Sequence, residues 1–329
     1  MGFGSYSHAA HEAMLKDRQS LPTQKLFKQT SCHALMNPKG VRARESRDSA
    51  DHPATLPIVF ALDVTGSMGV IPDQLARREL PNFMKALTDA GVTDPQILFV
   101  AVGDATCDGA PLQVGQFEST AELMDQWLTF SYLEGGGGGQ NKESYELALY
   151  FIAEHTDTDA WVKRKKRGYL MMTGDELPYP FVSRHQVEAL IGDALDEDIP
   201  IEAVVATLQE TFEPFFLIPD LDRRERCERP WRDLLGDHVI CLESPEHTCW
   251  AAAGLVALTE GAVRDLPEFS ERLLTLGLDR AKVGAITRAL VPYAASLGKA
   301  GAAAATFISE APAASAGSDK PSFWKRLFG

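Results

Sequence analysis

The clearest hydrophobic pattern in the chain is a continuous apolar run over residues 58–62 that ends at Asp63. Uninterrupted apolar residues over this length are typical of a strand that is buried on both faces of a parallel sheet. Residues 97–102 and 169–172 form two further runs of the same kind. We therefore expect at least three strands to lie inside the molecule, each covered on both sides.

Between and beyond these strands, apolar residues recur at helical spacing. The pattern predicts helices at residues 7–18, 72–90, 119–128, 143–155, 183–195, 231–235 and 248–259. Pro81 should kink or split the second of these helices, and Gly91 should end it. Further strands are predicted at residues 114–117, at the sheet edge, and at 201–205 and 238–242, with an extended segment at 215–218. Strands that alternate with helices indicate a Rossmann-like, doubly wound α/β fold, with a mostly parallel sheet and helices on both faces.

The same pattern divides the chain into four parts. We expect an N-terminal arm at 1–55, the α/β domain at 56–262, a C-terminal helical extension at 263–298, and a flexible linker with a short tail at 299–329. The tail holds Phe323, Trp324, Leu327 and Phe328 around two basic residues. It is interpreted as a docking motif for a partner groove or an anionic membrane surface, or as a segment that folds back on its own domain.

Composition narrows the function classes. The 329 residues carry a formal net charge of −14, which disfavours nucleic acid and acidic membranes as partners outside a local basic patch. The dense basic run at 163–167 is interpreted as a solvated turn after a helix. The sequence has neither a run of about 18 apolar residues nor a recognisable signal peptide, so no membrane span is expected. Five scattered cysteines indicate reduced thiols and a cytoplasmic protein.

The candidate chemistry lies where the first buried strand ends. Asp63, Thr65 and Ser67 stand at alternate positions, with Gly66 and Gly69 between and after them. In an open α/β sheet, ligands bind at the loops that leave the carboxyl ends of the strands. One carboxylate and two hydroxyl groups converging there suit a hard cation such as Mg²⁺ or Mn²⁺.

This arrangement resembles the metal-ion-dependent adhesion site (MIDAS) of von Willebrand factor A (vWA) domains, written Asp-x-Ser/Thr-x-Ser, and the resemblance covers residues 56–262. It implies that a third loop supplies an aspartate. Asp175 matches that position, with Glu176 as the alternative, although this chain has Thr-Gly-Asp where the family has Thr-Asp-Gly.

The resemblance also implies a threonine in a second loop, and here the chain departs from the family. Gln140 or Asn141 stands where the threonine belongs, after five consecutive glycines at 135–139. An amide oxygen is a weaker ligand than a carboxylate, so the metal should bind weakly or with the help of a partner's carboxylate. The glycine run opens a predicted helix and so favours anion binding, with a flexible linker as the alternative.

The function implied by the resemblance is that of a non-enzymatic, cation-dependent protein-binding module. The MIDAS cation keeps one position for an Asp or Glu of another protein. Bacterial intracellular vWA proteins of this kind act as adaptors beside ATPases, kinases or stress-response systems.

Two other function classes compete with this interpretation. One is a metal-independent structural subunit of a bacterial complex. The other is a serine hydrolase with Ser67 as nucleophile, Asp175, and His238 or His247. The hydrolase is disfavoured because Thr65 stands where a nucleophile elbow requires glycine.

Overall fold

The computed structural model describes residues 4, 6–18, 20–135 and 141–301, and in these ranges the side chains of all residues except Asp17 and Ser67. The predicted tail at 302–329 and Gln140 lie outside the described residues. The strands are β1 Arg44–Ser46, β2 Leu56–Asp63, β3 Pro95–Val102, β4 Leu112–Val114, β5 Lys142–Glu143, β6 Thr156–Thr158, β7 Gly168–Thr173, β8 Leu177–Pro178, β9 Phe181–Val182, β10 Ile199–Pro200, β11 Phe212–Ile218 and β12 Val239–Cys241.

The α-helices lie before, between and after the strands along the chain. They are α1 His8–Leu15, α2 Thr23–Leu26, α3 Val70–Gln74, α4 Leu80–Ala90, α5 Ala121–Thr129, α6 Tyr145–Glu154, α7 Asp159–Arg164, α8 Arg184–Leu190, α9 Ile201–Thr211, α10 Leu221–Leu235, α11 Thr248–Thr259, α12 Leu266–Thr275 and α13 Arg280–Ser296. Short 3-10 helices lie at Lys16–Arg18, Ala34–Met36, Gly66–Gly69, Gly236–His238 and Pro245–His247. None of the described helices has the length and apolar character that a membrane crossing requires.

Within the described ranges, the central sheet has six strands in the order β12-β11-β7-β2-β3-β4. All neighbouring strands are parallel except β4, which pairs antiparallel with β3 at the sheet edge. Every residue of β2 is buried. Its alternate side chains Phe60 and Val59 belong to two different apolar layers, which lie on opposite faces of the sheet. The predicted doubly wound α/β fold is therefore confirmed.

The two apolar layers are formed by different helices. One contains residues of α4, α11, α12 and α13, including Phe83, Leu255 and Phe269. The other contains residues of α6, α9 and α10, including Phe151 and Trp231. Since both faces of the sheet are covered, only its edges and strand ends remain available for a ligand.

The N-terminal residues pack against the sheet domain. β1 pairs in parallel with β6, and Arg18 forms an ion pair through both of its terminal nitrogens with the buried carboxylate of Asp125 on α5. Ser7 caps α1 by accepting a hydrogen bond from the backbone N–H of Ala10. These contacts hold the arm against the sheet domain.

One predicted strand is wrong. Residues 201–205 belong to helix α9, and the strand that follows is β11. The β-branched run there suggests a strand, but Ile201, Val204 and Leu208 are buried at helical spacing while Glu202 is exposed. The apolar stripe of a helix therefore explains the pattern better.

Several predicted boundaries also shift. Helix α5 is capped by Thr120 rather than Ser119, α8 ends at Leu190, and the edge strand lies at Leu112–Val114. Pro81 lies in the first turn of α4, and a single π-helical segment at Leu75–Glu79 joins this helix to α3. Gly91 ends α4 with φ of 92°, as predicted. The largest difference is α10, which begins at Leu221, ten residues before the predicted start.

Candidate functional site

The first loop of the candidate site leaves the carboxyl end of β2. The Asp63 carboxylate accepts hydrogen bonds from the Thr65 backbone N–H at 2.9 Å and from Thr65 Oγ1 at 2.7 Å. A 3-10 helix, Gly66–Gly69, follows at once and contains Ser67. Gly66 has φ of 43°, a left-handed conformation that favours glycine. The turn therefore holds the Asp63 and Thr65 oxygens next to each other and almost fully buried.

A residue of the second loop that sequence reasoning missed reaches the same point. Glu143 lies in β5, before helix α6 rather than at its start, and β5 pairs in parallel with β8 of the third loop. Its Oε1 lies 3.1 Å from Thr65 Oγ1. Its Oε2 is buried and has no hydrogen-bond partner among the described residues. Glu143 thus brings a second carboxylate to the first loop, with one oxygen unsatisfied.

The first residue of helix α6 joins the three loops. Tyr145 is fully buried, and its hydroxyl donates a hydrogen bond of 2.7 Å to Asp63 Oδ2. The hydroxyl also passes directly beside Gly174, where an added Cβ would lie 2.1 Å from it. Glycine at position 174 is therefore required for Tyr145 to reach Asp63.

The third loop follows β7 and lies at the same edge of the sheet as Asp63, because β7 and β2 are parallel neighbours. Asp175 is only 4% exposed, and Arg223 of α10 forms an ion pair with its Oδ2. Arg226, three residues later on the same helix, forms an ion pair with Glu176. The loop is thus closed over by the first turns of α10.

Burial controls the protonation of these carboxyl groups. It raises the pKa of Asp63 to about 7, although hydrogen bonds from Thr65 and Tyr145 oppose the shift. It raises the pKa of Glu143 to about 8, with the nearby Asp63 charge as the next cause. Burial also raises the pKa of Asp175, against the opposing charge of Arg223. Without a cation, Asp63 and Glu143 therefore hold protons near neutral pH.

More acidic side chains lie behind Glu143. Asp104, after β3, accepts hydrogen bonds from Thr106 Oγ1 at 2.8 Å and from the Tyr179 hydroxyl at 3.1 Å. Glu146 is fully buried, burial raises its pKa to about 8, and its Oε1 has no hydrogen-bond partner among the described residues. Asp104 also contributes to the raised pKa of Glu143. The edge of the sheet around the site therefore concentrates acidic side chains.

The structure does not bring every predicted residue together. The side chain of Asn141 is exposed, and its backbone carbonyl accepts a hydrogen bond from Leu177. Gln140 and the side chain of Ser67 lie outside the described residues. Where side chains are described, no group of three or more His, Cys, Asp or Glu residues has the spacing to hold a metal ion. The contacts thus favour Glu143 over Asn141 as the second-loop group nearest Asp63.

The proposed hydrolase histidines are not joined to this site. His238 precedes β12 and forms a 2.6 Å contact with Glu213 at the beginning of β11. Both residues lie at the amino ends of their strands, opposite the edge that carries Ser67, so a triad with His238 is excluded. His247 lies after β12 in a short 3-10 helix that contacts α3, and its Nδ1 has no hydrogen-bond partner among the described residues.

Comparison with known proteins gives distant structural neighbours. The chain is similar to proximal thread matrix protein 1 from the mussel byssus, at 14% sequence identity and a TM-score of 0.40, over 68% of this chain and 51% of that one. It is also similar to the pilus adhesin SpaC from Lactobacillus rhamnosus GG, at 11% identity and a TM-score of 0.41, over 67% of this chain and 32% of that one. A von Willebrand factor type A protein from Catenulispora acidiphila aligns at 13% identity and a TM-score of 0.37, over 62% of this chain and 42% of that one.

These neighbours differ in length from the present protein. The chain spans about half of the mussel protein and about a third of the adhesin. One structure of the mussel protein has a MIDAS motif occupied by zinc. No protein-family profile and no curated protein matches the chain. The strand order and the turn at the end of β2 define, on their own, a vWA-like α/β domain with a MIDAS-like first loop.

Proposed function

We propose that the protein is a cation-dependent protein-binding module. In this proposal Asp63, Thr65, Ser67 and Asp175 hold Mg²⁺ or Mn²⁺, and Glu143 takes the place of the missing threonine in the second loop. The observation that carries the proposal is that Thr65 Oγ1 lies within hydrogen-bond distance of both Asp63 and Glu143 at the carboxyl edge of the sheet.

The donor atoms fit a hard cation. All of the described candidate ligands are oxygen atoms, which Mg²⁺ and Mn²⁺ prefer. Glu143 Oε2 is buried without a partner among the described residues, an arrangement that costs free energy unless a proton or a cation satisfies it. A bound divalent cation would supply a position for a carboxylate oxygen of the partner, while the Tyr145 hydroxyl orients Asp63 through its Oδ2 atom.

The surface beside the site supports a partner of defined chemistry. A groove opens next to Gly66 and is lined by apolar Phe27, Val64, Val70 and Leu133, together with the exposed Lys28. A peptide with an acidic residue next to an apolar side chain matches this surface, because the acid reaches the cation and the apolar group reaches Val70. We therefore propose an acidic segment of another protein as the partner.

We also propose that the protein works in the bacterial cytoplasm, as an adaptor. All five cysteines are free thiols in the structure, and two of them are buried, which is consistent with a reducing compartment.

A metal-independent binding role is the second candidate, because Arg223 already neutralises Asp175. The two candidates differ in their response to chelation. A pull-down from native extract with and without EDTA identifies the partner and separates them, since capture that survives EDTA supports the metal-independent role.

The direct test is a calorimetric titration of Mg²⁺ or Mn²⁺ into the wild type and Asp63→Ala. We expect binding heat and a rise in melting temperature for the wild type, and neither for the variant. Asp89→Ala is the matched control, because this exposed aspartate pairs with Lys85 on α4, away from the site. Equal heats in the wild type and Asp63→Ala would refute the metal site.

A further inference from the structure

Helix α10 carries two arginines toward the third loop of the site. Arg223 forms an ion pair with Asp175, and Arg226 forms one with Glu176. Residues three apart lie on the same face of a helix, so both guanidinium groups approach the loop from the same side. These are the cations that the described structure places on the candidate metal-binding loop.

The backbone that carries Arg223 is well anchored. Asp220 caps the helix by accepting a hydrogen bond from the Asp222 backbone N–H at 2.9 Å. Two turns later, Trp231 is fully buried and stacks on Phe216 of β11 with ring centroids 3.8 Å apart. The Trp231 indole donates a 3.0 Å hydrogen bond to the backbone carbonyl of Glu176. The helix and the third loop are thus held together independently of the arginines.

The two side chains of the Arg223–Asp175 ion pair differ in how deeply they are buried. The Asp175 side chain is 5% exposed, whereas the Arg223 side chain is 33% exposed. A long arginine side chain on the solvent side can change its rotamer without moving the helix, whereas the buried carboxylate cannot leave. Asp175 also repels the buried Asp63, so a positive partner beside Asp175 stabilises its ionised form.

A divalent cation and a guanidinium group cannot both lie against the same buried carboxylate without strong repulsion, because charges interact strongly where water is excluded. We propose that Arg223 is a tethered cation that occupies Asp175 in the metal-free protein and swings away when the metal binds. This inference rests on the proposed metal site and adds its regulation. Competition from Arg223 lowers the metal affinity below the value that the oxygen ligands alone would give. The site therefore exchanges between an arginine-bound and a metal-bound state.

The test is the affinity of Arg223→Gln for Mn²⁺, measured by titration calorimetry with the metal alone as the probe. We expect binding at least tenfold tighter than in the wild type, because the competing charge is gone. Arg224→Gln is the matched control, since Arg224 pairs with Glu228 on the same helix and does not contact the loop. Its affinity should equal that of the wild type.

Thermal unfolding in EDTA gives an independent readout. Arg223→Gln should melt at a lower temperature than the wild type without metal, because the buried Asp175 loses its partner, and saturating Mn²⁺ should remove the difference. Arg223→Lys keeps the positive charge, so its affinity for Mn²⁺ should stay close to the low affinity of the wild type. This second variant keeps the test meaningful if the glutamine variant folds poorly.

The outcomes separate the inference from the proposed function. If the wild type binds Mn²⁺ and Arg223→Gln binds it equally or more weakly, the tethered-cation role is overturned while the metal site stands. If Arg226→Gln rather than Arg223→Gln gains affinity, the role of Arg223 is also overturned. If neither the wild type nor Arg223→Gln binds metal, both the metal site and the inference fail.

Discussion

Replacing Gly174 with alanine tests how closely the second and third loops of the candidate site fit together. The added Cβ would lie 2.1 Å from the hydroxyl oxygen of Tyr145 and 2.5 Å from its ring carbon Cζ. Both distances are far shorter than van der Waals contact. Tyr145 is fully buried, so its ring cannot move into solvent, and either the ring or the third loop must shift.

The expected cost has two parts. Overpacking a tight interior typically costs about 1–3 kcal/mol. A displaced tyrosine also loses its 2.7 Å hydrogen bond to Asp63, and leaving such a buried group unsatisfied costs about 1–3 kcal/mol more. We therefore expect Gly174→Ala to lower the free energy of unfolding by about 2 kcal/mol or more. Urea denaturation followed by circular dichroism measures this quantity.

Two further variants sharpen the measurement. Gly69→Ala is the matched control, because Gly69 also lies in the site, has φ of −56°, and has no heavy atom within 4 Å of an added Cβ. Its unfolding free energy should stay within about 0.5 kcal/mol of the wild type. In a Tyr145→Phe background, Gly174→Ala should cost less, because the hydroxyl oxygen, the atom nearest the added Cβ, has been removed. A cost below about 0.5 kcal/mol for Gly174→Ala alone would refute the placement of Tyr145.

Three further predictions concern pH, the N-terminal arm and the groove. Without metal, the unfolding free energy should fall by about 2 kcal/mol or more between pH 5.5 and 8.5. The folded-state pKa values of Asp63, about 7, and Glu143, about 8, lie above their unfolded values, so the folded state binds more protons in this range. Glu143→Gln should make the unfolding free energy, measured by urea denaturation at each pH, fall less steeply. Arg18→Gln should cost about 3 kcal/mol, because it leaves the buried Asp125 carboxylate without its partner, and limited proteolysis should then release the arm. Lys28→Glu should weaken capture of the acidic partner in a pull-down without changing the melting temperature, and unchanged capture would place the contact elsewhere.

The part of the site that could be predicted from the sequence is the part encoded locally. A buried strand, a terminal Asp63 and a tight turn with Thr65 lie within ten consecutive residues, so the pattern alone indicates that they meet. Helix α11, Thr248–Thr259, was likewise predictable, because its residues carry a continuous apolar signal and are nearly all buried.

Glu143 was missed because its position depends on a contact between distant segments. Only the pairing of β5 with β8 carries its carboxylate to Thr65, and no periodicity in the sequence shows which short segments pair. The sequence did contain a signal for Glu143, because an acidic residue shortly after a glycine run is expected in a loop near the strand ends. The helical spacing of residues 143–155 indicated the start of a helix at Glu143 instead.

The first half of α10 was missed for a different reason. Residues 221–230 are mostly charged, and the helix contains a proline at position 230. Its apolar stripe consists of Cys227, Trp231 and Leu235, one residue per turn, and the first turns have no buried side chain at all. A helix whose early turns are held by a cap and by ion pairs has little hydrophobic periodicity to detect. The two arginines on the third loop were therefore absent from the sequence-based site.

The side chains that sequence reasoning missed also account for the unusual order of residues in the third loop. In this chain Gly174 stands between Thr173 and Asp175, and the glycine is the position that Tyr145 needs in order to reach Asp63. The carboxylate therefore comes one residue later, where the first turn of α10 meets it with Arg223. Tyr145, at the start of α6, and Arg223 of α10 thus flank the third loop. The departure from the vWA pattern at Thr-Gly-Asp follows physically if the metal-free site is held by these two side chains rather than by a permanently bound cation.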